Sequence, residues 1–407
     1  MSKPNADRSF QSRLAELKSA DADVRRAAAR ALGEAGNKAA VEPLIDALKD
    51  PNAGVRKAAI LALEDLGDSR AILPIIQLFN DSDDSVAGCA ASALSPKLHE
   101  PALPILIDTV TDKTLPSRVR ARAAWALNEF PEPETVETLI GLLAADEDEE
   151  VRYSCAEVLR YPGGAEVSKA LLAALADSSS KVRAIAASSL GYLAEAAALE
   201  PLIGLLNDES SEVREAAAET LGYLDNSQAG KPLIAALSDS SSEVRASAAS
   251  ALGDLRHVEA VEPLIALLHD ESSDVVRWAA KALGEIGEKS AIEPLTNMVN
   301  HSDEDVAFWS LWALGMLGDG RVFDHLTRYA QAPKSWQRLR TMEAWGTWAI
   351  YEPSLYSSMP YKTRTRVCGC MRLRRLEGWT MNAPAKPSLT LLNITPIPMC
   401  GRRPVTS

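Results

Sequence analysis

Cysteine is scarce in this chain, and what there is does not pair. Five cysteines occur in 407 residues, with no Cys-x-x-Cys among them; Cys368 and Cys370 form a Cys-x-Cys and Cys400 stands alone. Neither a disulfide framework nor a thiolate metal site is expected, which fits a reducing compartment. Long apolar runs are missing too: no stretch of 18 such residues exists, so no membrane-spanning helix is expected. The opening MSKPNADRSF has no apolar core, so no signal peptide is expected either, and the reading is of a soluble cytoplasmic monomer. Basic residues are outnumbered, 43 against 56, for a net charge of −13. The deficit is uneven: residues 1–350 carry −20 and residues 351–407 carry +7. An acidic body argues against nucleic acid as a partner, which needs a clustered basic surface. It leaves a solvated acidic surface or a docking face for a basic partner.

Catalytic patterns are absent as well. There is no Gly-x-Ser-x-Gly, no phosphate-binding loop, no His-Glu-x-x-His and no dinucleotide fingerprint. The five histidines, His99, His257, His269, His301 and His325, are scattered, and only His99 is followed by glutamate. No catalytic, metal-ligating or cofactor-binding residue is therefore assigned, and no cofactor is expected.

What is present is repetition. Val213, Val244 and Val275 open three near-copies of one segment, 31 residues apart. Backwards the register meets Val182, Val151, Val119, Val86, Val55 and Val24; the steps are 31, except 32 from Val119 and 33 from Val86. Forwards it meets Val306 and a degraded copy with Gln337 in the valine slot. The extra residues are expected as loop insertions around 111–118 and 130–136. A fixed period of this size with helix-length apolar patterns marks a helical solenoid.

With the valine as position zero, apolar or small residues recur at +4, +7 and +8, as in Val55, Ala59, Ala62 and Leu63. These offsets share one helical face. Position −3 holds a capping residue, among them Asp21, Asn52, Asp83, Ser179, Ser210, Ser241, Ser272 and Asp303. Glycine follows at Gly36, Gly67, Gly287 and Gly318, as a left-handed stop prefers. A partner helix carries proline near its start, at Pro43, Pro74, Pro201, Pro232, Pro263 and Pro294, with Leu44, Leu48, Leu202 and Leu206 facing the alanines. Cys89 and Cys155 fall where small residues are usual and read as fillers. Gly88 and Pro96 predict a weaker or shorter third unit.

The segments Asp50–Ala59 and Asp208–Ala217 resemble the HEAT-like repeat of the PBS-lyase type, and the second continues to Leu221-Gly222 to complete Asp-x4-Val-Arg-x-Ala-Ala-x3-Leu-Gly. The resemblance implies an all-α fold, an α-solenoid of about eleven 31-residue two-helix repeats. Its divisions would be a capping helix, Phe10–Lys18, in residues 1–20, the array over 21–350, and an irregular basic, proline-rich tail over 351–407. Members of this repeat class include phycobilisome bilin lyases, deoxyhypusine hydroxylases and scaffolds without chemistry. A di-iron hydroxylase needs several His-Glu dipeptides, and one is here. The reading is a protein–protein scaffold or adaptor presenting a concave helical surface, with a bilin lyase or chaperone-like subunit as the alternative.

Two sets of residues stand out. Arginine recurs at +1, including Arg56, Arg183, Arg214 and Arg245, and aspartate at −5, including Asp50, Asp177, Asp208 and Asp239. This reads as a structural ladder tying loops to helices. Trp278 and Trp309 occupy +3 of successive units and Trp312 occupies +6, facing away from the valine–alanine stripe. Rigid exposed aromatics make good anchors, so these three are the candidate partner-binding residues.

Overall fold

A computed structural model of the chain describes residues 3–94 and 99–317. All lie in the first of two units into which the chain divides, Met1–His325 and Leu326–Ser407. The degraded eleventh repeat, Gly318, the tail and its cysteines lie outside the described residues, and so does Pro96.

The described residues form ten helix pairs and contain no strand. The first helices are α1 (Lys3–Glu16), α3 (Val41–Ala47), α5 (Ile72–Gln77), α7 (His99–Thr111), α9 (Pro133–Ala145), α11 (Ala165–Ala174), α13 (Leu199–Leu205), α15 (Gly230–Ala236), α17 (Val261–Leu267) and α19 (Ile292–Met298). Each is followed by its second helix: α2 (Ala22–Glu34), α4 (Ala53–Leu66), α6 (Asp84–Ser92), α8 (Ser117–Ala126), α10 (Glu149–Leu159), α12 (Ser180–Tyr192), α14 (Ser211–Tyr223), α16 (Ser242–Asp254), α18 (Ser273–Ile286) and α20 (Glu304–Leu317). Second helices pack on second helices, and each first helix packs on its own second helix. Every substantial contact joins elements of the same or adjacent pairs, so the core is a continuous seam.

The valines from Val55 to Val306 are buried in that seam, with Ala59, Ala248, Leu63 and Leu252. Val24 is 37% exposed, because the first pair has a neighbour on one side only. Glycine at +9 sets the closeness of stacking. A Cβ on Gly222 would lie 2.9 Å from the Ala251 Cβ of the next pair, and one on Gly253 would lie 2.8 Å from the Ala282 Cα. Only a residue without a side chain lets those backbones approach so near. Cys155 is buried, Cys89 half-buried, and α6 is the shortest second helix at 9 residues.

Three expectations change. The hydroxyls of Ser179, Ser210 and Ser272 make no cap bond, although these residues hold the cap backbone conformation. Their N–H groups donate to Asp177, Asp208 and Asp270 at 2.8–2.9 Å, so the carboxylate two residues earlier organises the turn. The extra residues are not loop insertions. They lengthen first helices: α7 and α9 are continuous helices of 13 residues, where regular units have a three-residue 3-10 turn and then seven. The leading helix begins at Lys3 rather than Phe10.

The ladder joins one unit to the next. Arg183 donates from Nε and one terminal nitrogen to both oxygens of Asp208 at 2.8 Å, and from the other to the Asp177 carbonyl at 2.9 Å. Arg214 does the same with Asp239 and the Asp208 carbonyl, and Arg245 with Asp270 and the Asp239 carbonyl. Two runs result, Arg25–Asp50 with Arg56–Asp81, and Arg120–Asp146 through Arg152–Asp177 to Arg245–Asp270. Between them Ala87 and Thr114 occupy the ladder positions, and the clamp is broken.

The Arg25 bond holds the Asp50 carboxyl below its ordinary value, and the Arg214 bond does so for Asp239. Burial works to raise Asp208, but the Arg183 bond and the Ser210 N–H more than offset it. A depressed folded-state pKa contributes stability above the unfolded value, near 4, which is lost as pH falls through the folded one. Stability in urea should therefore decline below about pH 4, where these carboxylates protonate. At neutral pH, Asp208→Ala strands Arg183 and should cost about 2–3 kcal/mol by urea denaturation, with that acid dependence reduced.

The residue at +12 is left-handed in seven units, while the fourth has Pro131 there. Glycine serves at Gly36, Gly67, Gly163 and Gly287, but Ala194, Asp225 and Arg256 adopt φ of 50°, 47° and 48°. A Cβ is strained there. Ala194→Gly should raise stability by about 0.5–1 kcal/mol, read from the urea midpoint.

Candidate protein-interaction face

Once the seam takes positions 0, +4, +7 and +8, the second helices turn −1, +2, +3, +6 and +10 to the opposite side. Two concavities lie on that face. The larger, about 760 Å³, crosses α6, α8 and α10 at the break in the ladder. Gly88, Ala91 and Ala121 line it alongside Trp125, which is 40% exposed, and Tyr153. Its cations are committed: Arg122 donates to the Phe79 carbonyl at 2.8 Å and to Asp84 at 2.9 Å, Arg118 also binds Asp84, and Lys181 reaches Glu149 at 3.4 Å. The Arg122 bond holds the Asp84 carboxyl low, and burial pushes the Tyr153 hydroxyl up.

The smaller concavity, about 360 Å³, crosses α14, α16 and α18. Its lining holds five carboxylates, Glu215, Glu219, Glu243, Asp254 and Asp274, against one cation, Arg277. Arg277 bonds Asp274 at 3.1 Å, so four negative charges are left over within the lining. Glu215 is pushed up by burial and then by Glu243, Glu219 and Glu212, the mark of an acidic field with little to balance it. Tyr223 and Trp278 form aromatic walls. The Tyr223 hydroxyl donates to Glu219 at 2.7 Å, which with burial pushes it up to about 12.

Of the three tryptophans singled out by sequence, Trp278 lines this groove, half-buried, with Lys281 and Arg277 at 5.0 and 5.6 Å from its ring. Trp309 and Trp312 are half-buried on α20 and pack edge-on to one another at 5.4 Å. Trp312 also covers Gly284, and neither ring lines either of these two grooves. The ladder residues Arg56, Arg183, Arg214 and Arg245 are about nine-tenths buried in their ion pairs and present no anion track.

One row escaped the sequence reading. Tyr161, Tyr192 and Tyr223 stand at +10 of three successive units and are 49%, 66% and 62% exposed. Tyr161 and Tyr192 meet edge-on at 5.9 Å, and Arg160 lies over both rings. Their 31-residue spacing was the available signal. Among the described residues no cluster of His, Cys, Asp and Glu is arranged to hold a metal ion, and no helix is long and apolar enough to cross a membrane. His301 Nδ1 accepts from the Asp303 N–H at 3.1 Å, the turn role that aspartate has elsewhere.

Helix pairs stacked through one continuous seam define an α-solenoid repeat protein. A model of HEAT repeats matches residues 10–95, 72–160, 168–253, 201–282, 230–307 and 261–344, and the chain belongs to the HEAT repeat family. No curated protein matches the chain. Among solved structures, Kap95p in its complex with RanGDP is similar over 89% of this chain and 60% of its own, at 13% identity and a TM-score of 0.60. Kap121p bound to Nup53p is similar over 85% of this chain and 46% of its own, at 15% identity and a TM-score of 0.56. The CpcE–CpcF phycocyanin lyase complex from Nostoc sp. PCC7120 aligns over 60% of this chain and 94% of its own, at 24% identity and a TM-score of 0.38.

The face and the seam should respond oppositely to one methyl group. A Cβ on Gly88 meets nothing within 4 Å, whereas Gly253 abuts α18. Gly88→Ala should stabilise by about 0.5–1 kcal/mol through helix propensity, and Gly253→Ala should cost about 1–3 kcal/mol through overpacking. Thermal melts of the two variants check this.

Proposed function

We propose that this chain is a non-catalytic scaffold that holds another protein against the outward face of its second helices. The observation that carries the reading is the division of labour across those helices. Valine, alanine, glycine and the Arg–Asp clamp all serve stacking, while the opposite side offers two grooves and exposed Trp125, Tyr192 and Tyr223. Large aromatics left in solvent beside a concavity are what interface anchors require. The acidic surface disfavours nucleic acid, and the free Cys89 and Cys155 fit a reducing, cytoplasmic setting. The scaffold works as a monomer with a protein partner and no cofactor.

A photo-reactive side chain placed at Ser154 in the larger groove, or at Ser247 in the smaller, should cross-link one discrete partner in cell extract; the same probe at Glu42 on a first helix should not. Cross-links spread evenly over both faces would overturn the reading. The prosthetic-group lyase alternative rests on repeat type, and the larger groove, walled by Trp125 and Tyr153, is where an open-chain tetrapyrrole would sit. Visible absorbance acquired by the purified chain on incubation with a bilin would favour it over the scaffold.

A further inference from the structure

The tyrosine row and the acidic groove belong to one strip. Tyr161, just past the end of α10, and Tyr192 and Tyr223, the last residues of α12 and α14, share one repeat position, and Tyr223 is also a wall of the groove that continues over α16 and α18. A chain laid along the array crosses one second helix per repeat, roughly every 10 Å. An extended or polyproline chain advances about 3.1–3.4 Å per residue, so every third residue meets the next helix. The strip is also polarised. Past the end of α10 and on α12 it offers the exposed rings of Tyr161 and Tyr192, which share Arg160 between them, a surface for apolar rings such as proline. At α14 to α18 it offers five carboxylates against one paired cation, a surface for lysine or arginine.

We propose that this strip binds an extended segment of a partner protein in which prolines at every third position are followed by lysine or arginine at the same spacing, the prolines over the tyrosines and the cations in the acidic groove. The inference rests on the scaffold reading and names the kind of segment it receives. It is independent of the larger groove, whose cations are already bonded to Asp84 and Glu149.

The test is fluorescence anisotropy with the full-length chain and labelled synthetic peptides of twelve residues. One carries Pro-x-x-Pro-x-x-Lys-x-x-Lys; a second has the same composition with the spacing scrambled; a third has glutamate for lysine. The first should bind about tenfold or more tighter than either control, and the affinity should fall steeply with added salt. Tyr192→Ala and the double variant Glu215→Gln/Glu243→Gln should each weaken it about tenfold, while Trp125→Ala, in the other groove, should leave it unchanged. All sit on the outward face, and circular dichroism melts check that each variant folds. Equal binding of the scrambled peptide, or binding untouched by the tyrosine and glutamate changes, overturns the proposal. If the Ser154 probe still captures its discrete partner in that case, the scaffold reading stands and only this assignment falls.

Discussion

The arginine–aspartate clamp fixes the geometry on which the other features depend. Apart from Arg120, which reaches one oxygen of Asp146, each guanidinium binds both oxygens of a carboxylate in the next unit and a backbone carbonyl in its own, so three points set the relation between neighbouring turns. The same carboxylate accepts the N–H that starts the following helix, as Asp239 does from Ser241 at 2.8 Å. A single aspartate thus joins two units and begins the second. Because both partners are about nine-tenths buried, removing one strands the other without solvent, and the pair is costly to break from one side.

Position along the array explains the exceptions. Where Ala87 and Thr114 interrupt the clamp, α6 is short, α7 loses its 3-10 lead-in, and Arg118 and Arg122 of α8 reach back to Asp84 by a different route. The larger groove opens at that junction, since Gly88, Ala91 and Ala121 leave its floor low. An irregular unit in a solenoid gives up some stacking regularity and offers shape in return. At the other strained place, the left-handed residue that follows most second helices, Ala194, Asp225 and Arg256 keep the turn that glycine makes at Gly36, Gly67, Gly163 and Gly287. Packing on both sides over-determines that conformation.

The array was legible in the sequence because its physics is local and repeats. Val213, Val244 and Val275 are buried where periodicity placed them, and Leu44 and Leu202 face the seam as expected. The ladder was legible as a pattern but not as a connection. Arg214 has Asp208 close by in sequence, and only coordinates show that it binds Asp239 in the next unit while taking just the carbonyl of Asp208. Serine hydroxyls were credited with caps that the preceding aspartate supplies, because both residue types suit a helix start and composition cannot tell them apart. The face was least legible. Tryptophans attract notice by rarity, yet Trp309 and Trp312 are largely spent on each other, while the tyrosine row drew none until its residues were found exposed side by side.

That asymmetry follows from how a solenoid divides its constraints. Positions facing the seam must suit the unit before and the unit after, so they converge on the same small residues and advertise themselves by repetition. Positions on the outward face meet the neighbouring unit through exposed side chains, as Tyr161 meets Tyr192, and stacking constrains them less. When they nevertheless repeat, as tyrosine does at Tyr161, Tyr192 and Tyr223, the one edge-on contact between Tyr161 and Tyr192 does not account for all three. These rings are half exposed or more, they hold no unit to the next through the seam, and a smaller polar residue would cost the fold little. A recurrence that stability does not require, leading into a groove whose charge is left unbalanced, is the pattern expected of a surface shaped by an extended partner with a matching period.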